Sequence, residues 1–397
     1  MKDLKHLIYF EDLLTEANNA LVKQATADGK KALGYTCYFV PEVLLNLGGC
    51  FSVRLRAPGT SNTDIGTYYM TNKTCPFTRS ILERSMEGGY NFLSAMLSSE
   101  TCQMMHRAHE YFDIMGLVKE QNPDFFLSMM DVPFVTTKAA YEHYENQLRK
   151  HILEPLEKVC GVDISDKAIR AAIEEHNDIC GIISELGELR KLPNPPITSY
   201  EFHVLQLVSE CCPQYLIKDK LLETLKEVRK RKVDPKPNYR ARLVVTGSEV
   251  DDPVFTKLLE DCGVYVVADR YCFGSFPSRE QIEIKEGETA FDAICRHYLY
   301  WNQCARFMDG FKIDQRHAIA AQLVEDFKAD GIIYENMKFC EFWSYEKVLA
   351  NHIFTNEKHI PCCTIEKEYS LGAVGQLRTR FQAFIESLEI KSIQGGK

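Results

Sequence analysis

Short apolar runs alternate with amphipathic stretches twice along this chain, and a block of helical pattern, interrupted by a loop at Pro193, Pro195 and Pro196, separates the two alternations. In the first, Tyr38-Phe39-Val40 and residues 51–55, 91–97 and 124–129 read as strands. Helices start at Pro41 and Pro76 and stop at Gly48-Gly49 and Gly88-Gly89, and another begins at Thr101. In the second, residues 243–247, 264–269, 331–334 and 360–365 read as strands. Helices are expected over residues 252–262, 290–309, 317–328 and 376–388, with one more from about Glu341. Strands joined by helices pair in parallel, because each return needs a crossover. Residues 11–30 read as one amphipathic helix, and residues 138–159 and 167–190 as long helices of the intervening block.

The expected fold class is therefore α/β: two Rossmann-like parallel-sheet lobes with a helical region between them. The boundaries fall at residues 1–135, 136–233 and 234–397, with Asp234-Pro235-Lys236-Pro237-Asn238 as a linker. Thr246-Gly247-Ser248 resembles the start of a nucleotide-binding crossover but lacks G-x-G-x-x-G, and there is no P-loop, H-E-x-x-H or G-x-S-x-G. Lys+Arg of 47 against Asp+Glu of 56 gives a formal charge of −9, which argues against a nucleic-acid binder. No run approaches the roughly 20 apolar residues of a membrane helix, so no membrane association is expected.

Fifteen cysteines are the unusual count. The number is odd, and the Met1-Lys2-Asp3-Leu4-Lys5-His6 start has no signal-like apolar stretch, so thiols in a reducing cytoplasm are expected. Three share one local grammar. Cys75, Cys102 and Cys340 each stand just before a helix, Cys102 and Cys340 after an apolar run. Sites in parallel sheets lie outside the carboxyl ends of strands, and a helix N-terminus favours a thiolate or an anionic cluster. Cys75 and Cys102 come from the first alternation and Cys340 from the second, so a cluster between the lobes could use all three. No C-x₂-C spacing supports zinc or a ferredoxin motif, and three small buried residues would satisfy the same pattern. Cys37 and Cys272, both near strand ends, and Cys304, in an expected helix, form a second tier. The pairs Cys211-Cys212 and Cys362-Cys363 read as core.

The chain resembles the iron–sulfur subunits of the 2-hydroxyacyl-CoA dehydratase and benzoyl-CoA reductase family (the D-component of 2-hydroxyglutaryl-CoA dehydratase). The match is carried by Gly-x-x-Cys-x-x-x-Pro-Glu over residues 34–42, Cys75-Pro76-Phe77-x-Arg79-Ser80, Thr101-Cys102, Asp330-Gly331-Ile332-Ile333 and Lys338-Phe339-Cys340. It closes with Gly375-Gln376-Leu377-Arg378-Thr379-Arg380-x-x-Ala383-Phe384-x-Glu386. The resemblance implies a [4Fe-4S] cluster on Cys75, Cys102 and Cys340. It also implies a partner, either a paralogous dehydratase subunit in a heterodimer or a second copy, and an ATP-dependent iron–sulfur activator protein. The implied activity is that of a lyase acting as part of a complex: an electron of low potential is relayed for radical (ketyl) dehydration of an acyl-CoA substrate in an anaerobic, cytoplasmic setting. The alternative is an oxidoreductase of the benzoyl-CoA reductase type.

The family's substrate-binding subunit has a Ser where Thr36-Cys37 stands and a Glu where Arg54-Leu55-Arg56 stands, so a relaying subunit fits better. Arg54 and Arg56 read as exposed arginines on a strand edge. Double-cubane cluster proteins resemble the same sequence, including its Gly-Gln-Leu-x-Thr-Arg tail. They imply an [8Fe-9S] cofactor, with Cys37, Cys272 and Cys304 as additional cluster ligands. Around the site, His106 falls one helical turn after Cys102, Gln376, Arg378 and Arg380 open the last helix as candidate donors, and Glu42 is expected to meet its own helix dipole.

Overall fold

The computed structural model describes residues 2–60, 62–233, 236–275, 280–370, 372 and 374–395; Asp234 and Pro235 of the expected linker lie outside them. Its frame is two four-stranded parallel sheets. The first holds β1 (Lys31–Tyr35), β2 (Cys50–Arg54), β3 (Ala95–Ser99) and β4 (Phe126–Met130) in the order β2-β1-β3-β4. The second holds β5 (Ala241–Glu249), β6 (Val264–Cys272), β7 (Gly331–Met337) and β8 (Cys362–Lys367) in the order β6-β5-β7-β8. In each sheet the first strand is flanked by the second and third, so the two lobes repeat one topology, and each has its switch point between the first and third strands.

Two expected helices break, for identifiable reasons. Residues 11–30 are not one helix but end α1 (Leu7–Leu13) and contain α2 (Ala20–Ala27), because the Asn19 side chain accepts from Leu21 N and Val22 N and restarts the helix. The stretch from 290 to 309 stops at Tyr300, and the next helix restarts where the Asp309 side chain caps Lys312 N. Cys304 therefore lies in a loop and not in a helix. Tyr38-Phe39-Val40 forms a buried turn rather than a strand, closed by Val40 N donating to Cys37 O; the strand of that region is β1, just before it.

One helix of the middle block lies between the sheets. In α3 (Ser199–Cys211) every residue but Tyr200 is buried, and it touches β2, β6 and the helix that follows β5. A helix buried all round is normally apolar, yet this one carries Glu201, His203, Gln206, Ser209 and Glu210. Glu201 closes a capping box with Thr198 and takes Arg231 at 2.7 and 2.8 Å. His203 meets Thr256 Oγ1 at 2.6 Å and Val250 O at 3.1 Å. Glu210 takes Arg54 Nη1 at 2.6 Å. Each of these last three contacts reaches a different element, so the helix pins both lobes. Residues 282–307 also cross back: Ile282, Phe291, Ile294, Tyr298 and Phe307 join the apolar core under β1 and β3.

Within β5, Gly247 has φ +150°, and a Cβ there would stand 1.9 Å from the Glu335 carbonyl oxygen on β7. Gly247→Ala is expected to push β5 and β7 apart and cost about 3 kcal/mol or more, read as a lower thermal unfolding midpoint on circular dichroism.

Candidate metal centre between the two lobes

Cys75, Cys102 and Cys340 occupy the N-cap positions of α4 (Pro76–Met86), α5 (Gln103–Ile114) and α6 (Glu341–His352). The helix starts expected from sequence place them there. N-terminal turns leave main-chain N–H groups without helical partners. Burial raises all three thiols, and the N–H groups of Thr78 and Phe77 act against it at Cys75, those of Met105 and Met104 at Cys102, and that of Trp343 at Cys340. Cys37 follows β1 by two residues, Cys272 ends β6, and Cys304 sits in the 301–309 loop. The residues beside two of these thiols are left-handed without being glycine: Phe273 at φ 61° and Phe339 at φ 60°. Such strain persists only where the surrounding structure over-determines it.

The six thiols act on one another as two triads. Cys75 feels Cys102, and Cys340 feels both. Cys272 feels Cys304 and Cys37, and Cys304 feels Cys37. One link joins the triads, between Cys37 and Cys102. Thr101 Oγ1, beside Cys102, donates to Cys37 Sγ at 3.2 Å. Burial, reinforced by the neighbouring thiols, pushes Cys75 and Cys304 up to about 12, raises Cys102, and drives Cys272 and Cys340 well above the ordinary thiol range. These thiols stay protonated unless a cation replaces the proton. Among the described residues no three His, Cys, Asp or Glu groups converge on a single-ion position. A cluster spreads its thiolates wider than the roughly 2.3 Å bonds of one zinc ion allow.

Four further residues lie around the thiols, and sequence reasoning missed their roles. Arg306 donates to Glu100 O at 2.7 Å and Val132 O at 2.5 Å, lies 3.8 Å from the Phe134 ring centre, and has Cys304, Cys37 and Cys102 within its field. Arg54 is 3% exposed and Arg56 5%, which corrects their reading as exposed edge residues. Arg54 pairs with Glu210 and covers the Phe273 ring at 3.8 Å; Arg56 donates to Asp251 O and Leu14 O. Glu249, the last residue of β5, faces Cys75, Cys102, Cys272 and Cys340. Burial, with Asp251 and Glu335 adding to it against Arg54, lifts its carboxyl to about 8, and Oε2 has no partner. A neutral Glu249 does not repel an anionic group held by the thiols. A signal existed for it: an acid at the carboxyl end of a central strand.

The remaining candidates lie elsewhere. His106 Nδ1 pairs with Glu100 at 2.7 Å, and its Nε2 stands 3.7 Å from Glu110. Arg380 donates to Thr364 O at 2.7 Å, Arg378 lies 4.0 Å from Asp261, and Gln376 is exposed, all on the last helix, α7 (Val374–Gly395). Glu42 does more than meet a helix dipole. It takes His176 Nδ1 at 2.5 Å and the Tyr298 hydroxyl, and although burial opposes it, these hold its carboxyl at about 2.

Comparison with known proteins bears out the family resemblance seen in the sequence. The family described as 2-hydroxyglutaryl-CoA dehydratase, D-component, matches residues 37–388. The chain belongs to that family. It is 24% identical to the (R)-phenyllactyl-CoA dehydratase beta subunit of Clostridium sporogenes, over 96% of this chain and 97% of that one. It is 24% identical to the beta subunit of (R)-2-hydroxyglutaryl-CoA dehydratase of Acidaminococcus fermentans, over 91% and 93%. One of the benzoyl-CoA reductase subunits of Thauera aromatica is 21% identical over 91% and 92%. This D-component relative is thus a subunit of the 2-hydroxyacyl-CoA dehydratase type.

Removing one partner of a buried ion pair strands the other charge. Glu210→Ala is expected to cost about 3–5 kcal/mol, measured as a lower urea midpoint, whereas Glu223→Ala at the exposed Lys5 pair leaves the midpoint nearly unchanged.

Proposed function

We propose that this D-component relative is an iron–sulfur electron-transfer subunit with a double-cubane [8Fe-9S] cluster, held by Cys75, Cys102 and Cys340 on one side and Cys37, Cys272 and Cys304 on the other. The observation that carries this reading is the gathering of six thiols from both sheets, Cys75 buried and the other five half-buried, with Cys340 near Cys75 and Cys102, Cys272 and Cys304 near Cys37, and Thr101 Oγ1, beside Cys102, donating to Cys37 Sγ. The donor set fits such a group. It consists of thiols only, three of them at helix N-termini, and Arg306 and Arg54 offset charge from opposite elements. When bound, the cluster supplies electrons at very low potential for an acyl-CoA-level dehydration or reduction.

The chain's own residues then have defined tasks. The N-caps of α4, α5 and α6 orient three thiolates. Thr101 holds the Cys37 sulfur beside Cys102. Glu249, whose carboxyl burial lifts to about 8, stands beside the thiols at the end of β5. The lobes 1–135 and 234–397 each contribute ligands across the 136–233 block. A paralogous subunit or a second copy serves as partner, with an ATP-dependent activator as electron donor and the cytoplasm as location. Among the described residues no helix is long and apolar enough to cross a membrane.

A second reading has specific support: the relatives are dehydratase beta subunits, and the resemblance implies a single [4Fe-4S] cluster on Cys75, Cys102 and Cys340. Iron and acid-labile sulfide of anaerobically purified protein separate the two. The double cubane gives about eight irons per chain and the single cubane about four. Cys272→Ala is expected to lose roughly half the iron. Full retention returns the assignment to a single cubane, and absence of iron from the wild type sinks both.

A further inference from the structure

A cavity of about 20 Å³ lies between the carboxyl end of the first sheet and two helices of the middle block, and Glu42, Arg54, His176, Cys180, Glu210 and Gln214 are among the residues that line it. His176 and Cys180 stand one turn apart on the helix Asp166–Glu188, so they share a face. Cys180 Sγ lies 3.3 Å from His176 Nε2 and 4.0 Å from Nδ1. Nδ1 in turn donates to Glu42 Oε1 at 2.5 Å, and Glu42 Oε2 accepts from the Tyr298 hydroxyl. Thiol, imidazole and carboxylate thus stand in the order of nucleophile, base and orienting acid. Cys180 is 2% exposed and His176 3%. Two further atoms on buried lining residues have no partner, Arg54 Nε and Gln214 Oε1. The first donates and the second accepts. Leaving them unmet is costly, and a small molecule that both donates and accepts satisfies the two. The cavity has room for a molecule about the size of water or hydrogen peroxide and excludes a tripeptide.

We propose that Cys180 is a peroxide-reactive thiol, with His176 as its base and Glu42 positioning that base. His176 Nε2 takes the thiol proton and the sulfur attacks one peroxide oxygen. The O–O bond breaks, and the leaving hydroxide takes the proton from His176 and departs as water. Cys180 becomes a sulfenic acid, its sulfur losing the two electrons that the peroxide gains. Burial opposes charge on His176, but Cys180 and Glu42 raise it well above the ordinary imidazole range, so the protonated ring is a stable partner for a thiolate. The charges near the ring are Glu42 and, across the cavity, the Arg54–Glu210 pair. Burial keeps the Tyr35 and Tyr38 hydroxyls protonated and His297 neutral. The six thiols of the seam take no part in the reaction.

The test is anaerobic addition of one equivalent of hydrogen peroxide to the full-length protein as purified, followed by denaturation into excess dimedone and peptide mapping. The expected adduct is on Cys180, ahead of the buried Cys211, Cys212 and Cys295. Oxidised glutathione, too large for the cavity, should leave Cys180 unmodified. The Cys180 rate should stay level between about pH 6 and 8, whereas that at Cys362, whose thiol burial pushes up to about 12, should climb about tenfold per unit. His176→Gln should lower the Cys180 adduct about a hundredfold with Cys362 unchanged, and Glu42→Gln should make the Cys180 rate slower and pH-dependent. The wild-type map and pH profile decide the matter even if a variant folds poorly. No adduct on Cys180, one no greater than on Cys211, or a Cys180 rate that climbs with pH as at Cys362, overturns the proposal.

Discussion

Arg54 is the side chain on which the arrangement of the seam depends. It leaves the carboxyl end of β2, crosses to Glu210 on the buried helix α3, and lies flat on Phe273, the left-handed residue next to Cys272. One guanidinium therefore relates the first sheet, the middle block and the second sheet. A buried pair of this kind adds little net stability, because desolvation consumes most of the Coulombic attraction. What it provides here is position. Any rotation of one lobe against the other leaves a buried charge without its partner, and the same movement separates Cys272 from Cys37.

The repeated strand order explains why thiols from distant parts of the chain can meet. In each lobe the third strand leads into a helix that starts with a cysteine, Cys102 after β3 and Cys340 after β7. Because the strands are parallel, the carboxyl ends within each sheet face one way, and the helix starts that carry Cys75, Cys102 and Cys340 come to one seam. The N–H groups there favour negative charge on sulfur, while burial disfavours it strongly. The balance leaves the metal-free thiols protonated, so loading with metal and release of protons are one event.

Much of the fold was legible because period and punctuation carried it. Pro76 and Gly88-Gly89 bracket a helix, and residues 264–269 and 331–334 read as strands that the structure places there. The breaks at Asn19 and Asp309 were not legible, since a capping side chain inside an amphipathic pattern looks like one more polar position. At the site, the N-cap grammar exposed Cys75, Cys102 and Cys340. Cys304 was misplaced in a helix for the reason that hid Asp309. Arg54 and Arg56 were read as surface groups because alternation in a strand assigns faces and cannot foresee a third layer closing over them. Arg306 gave no local pattern of its own and Glu249 only its place at the end of a central strand; their significance comes from lobes that meet only in three dimensions.

The central claim is that the two thiol triads hold one continuous metal group. The most direct measurement is an iron anomalous-difference map from crystals of anaerobically prepared protein. The account predicts a single elongated peak spanning Cys75, Cys102 and Cys340 at one end and Cys37, Cys272 and Cys304 at the other. A compact peak confined to the first triad, with the second triad as free thiols, would contradict it.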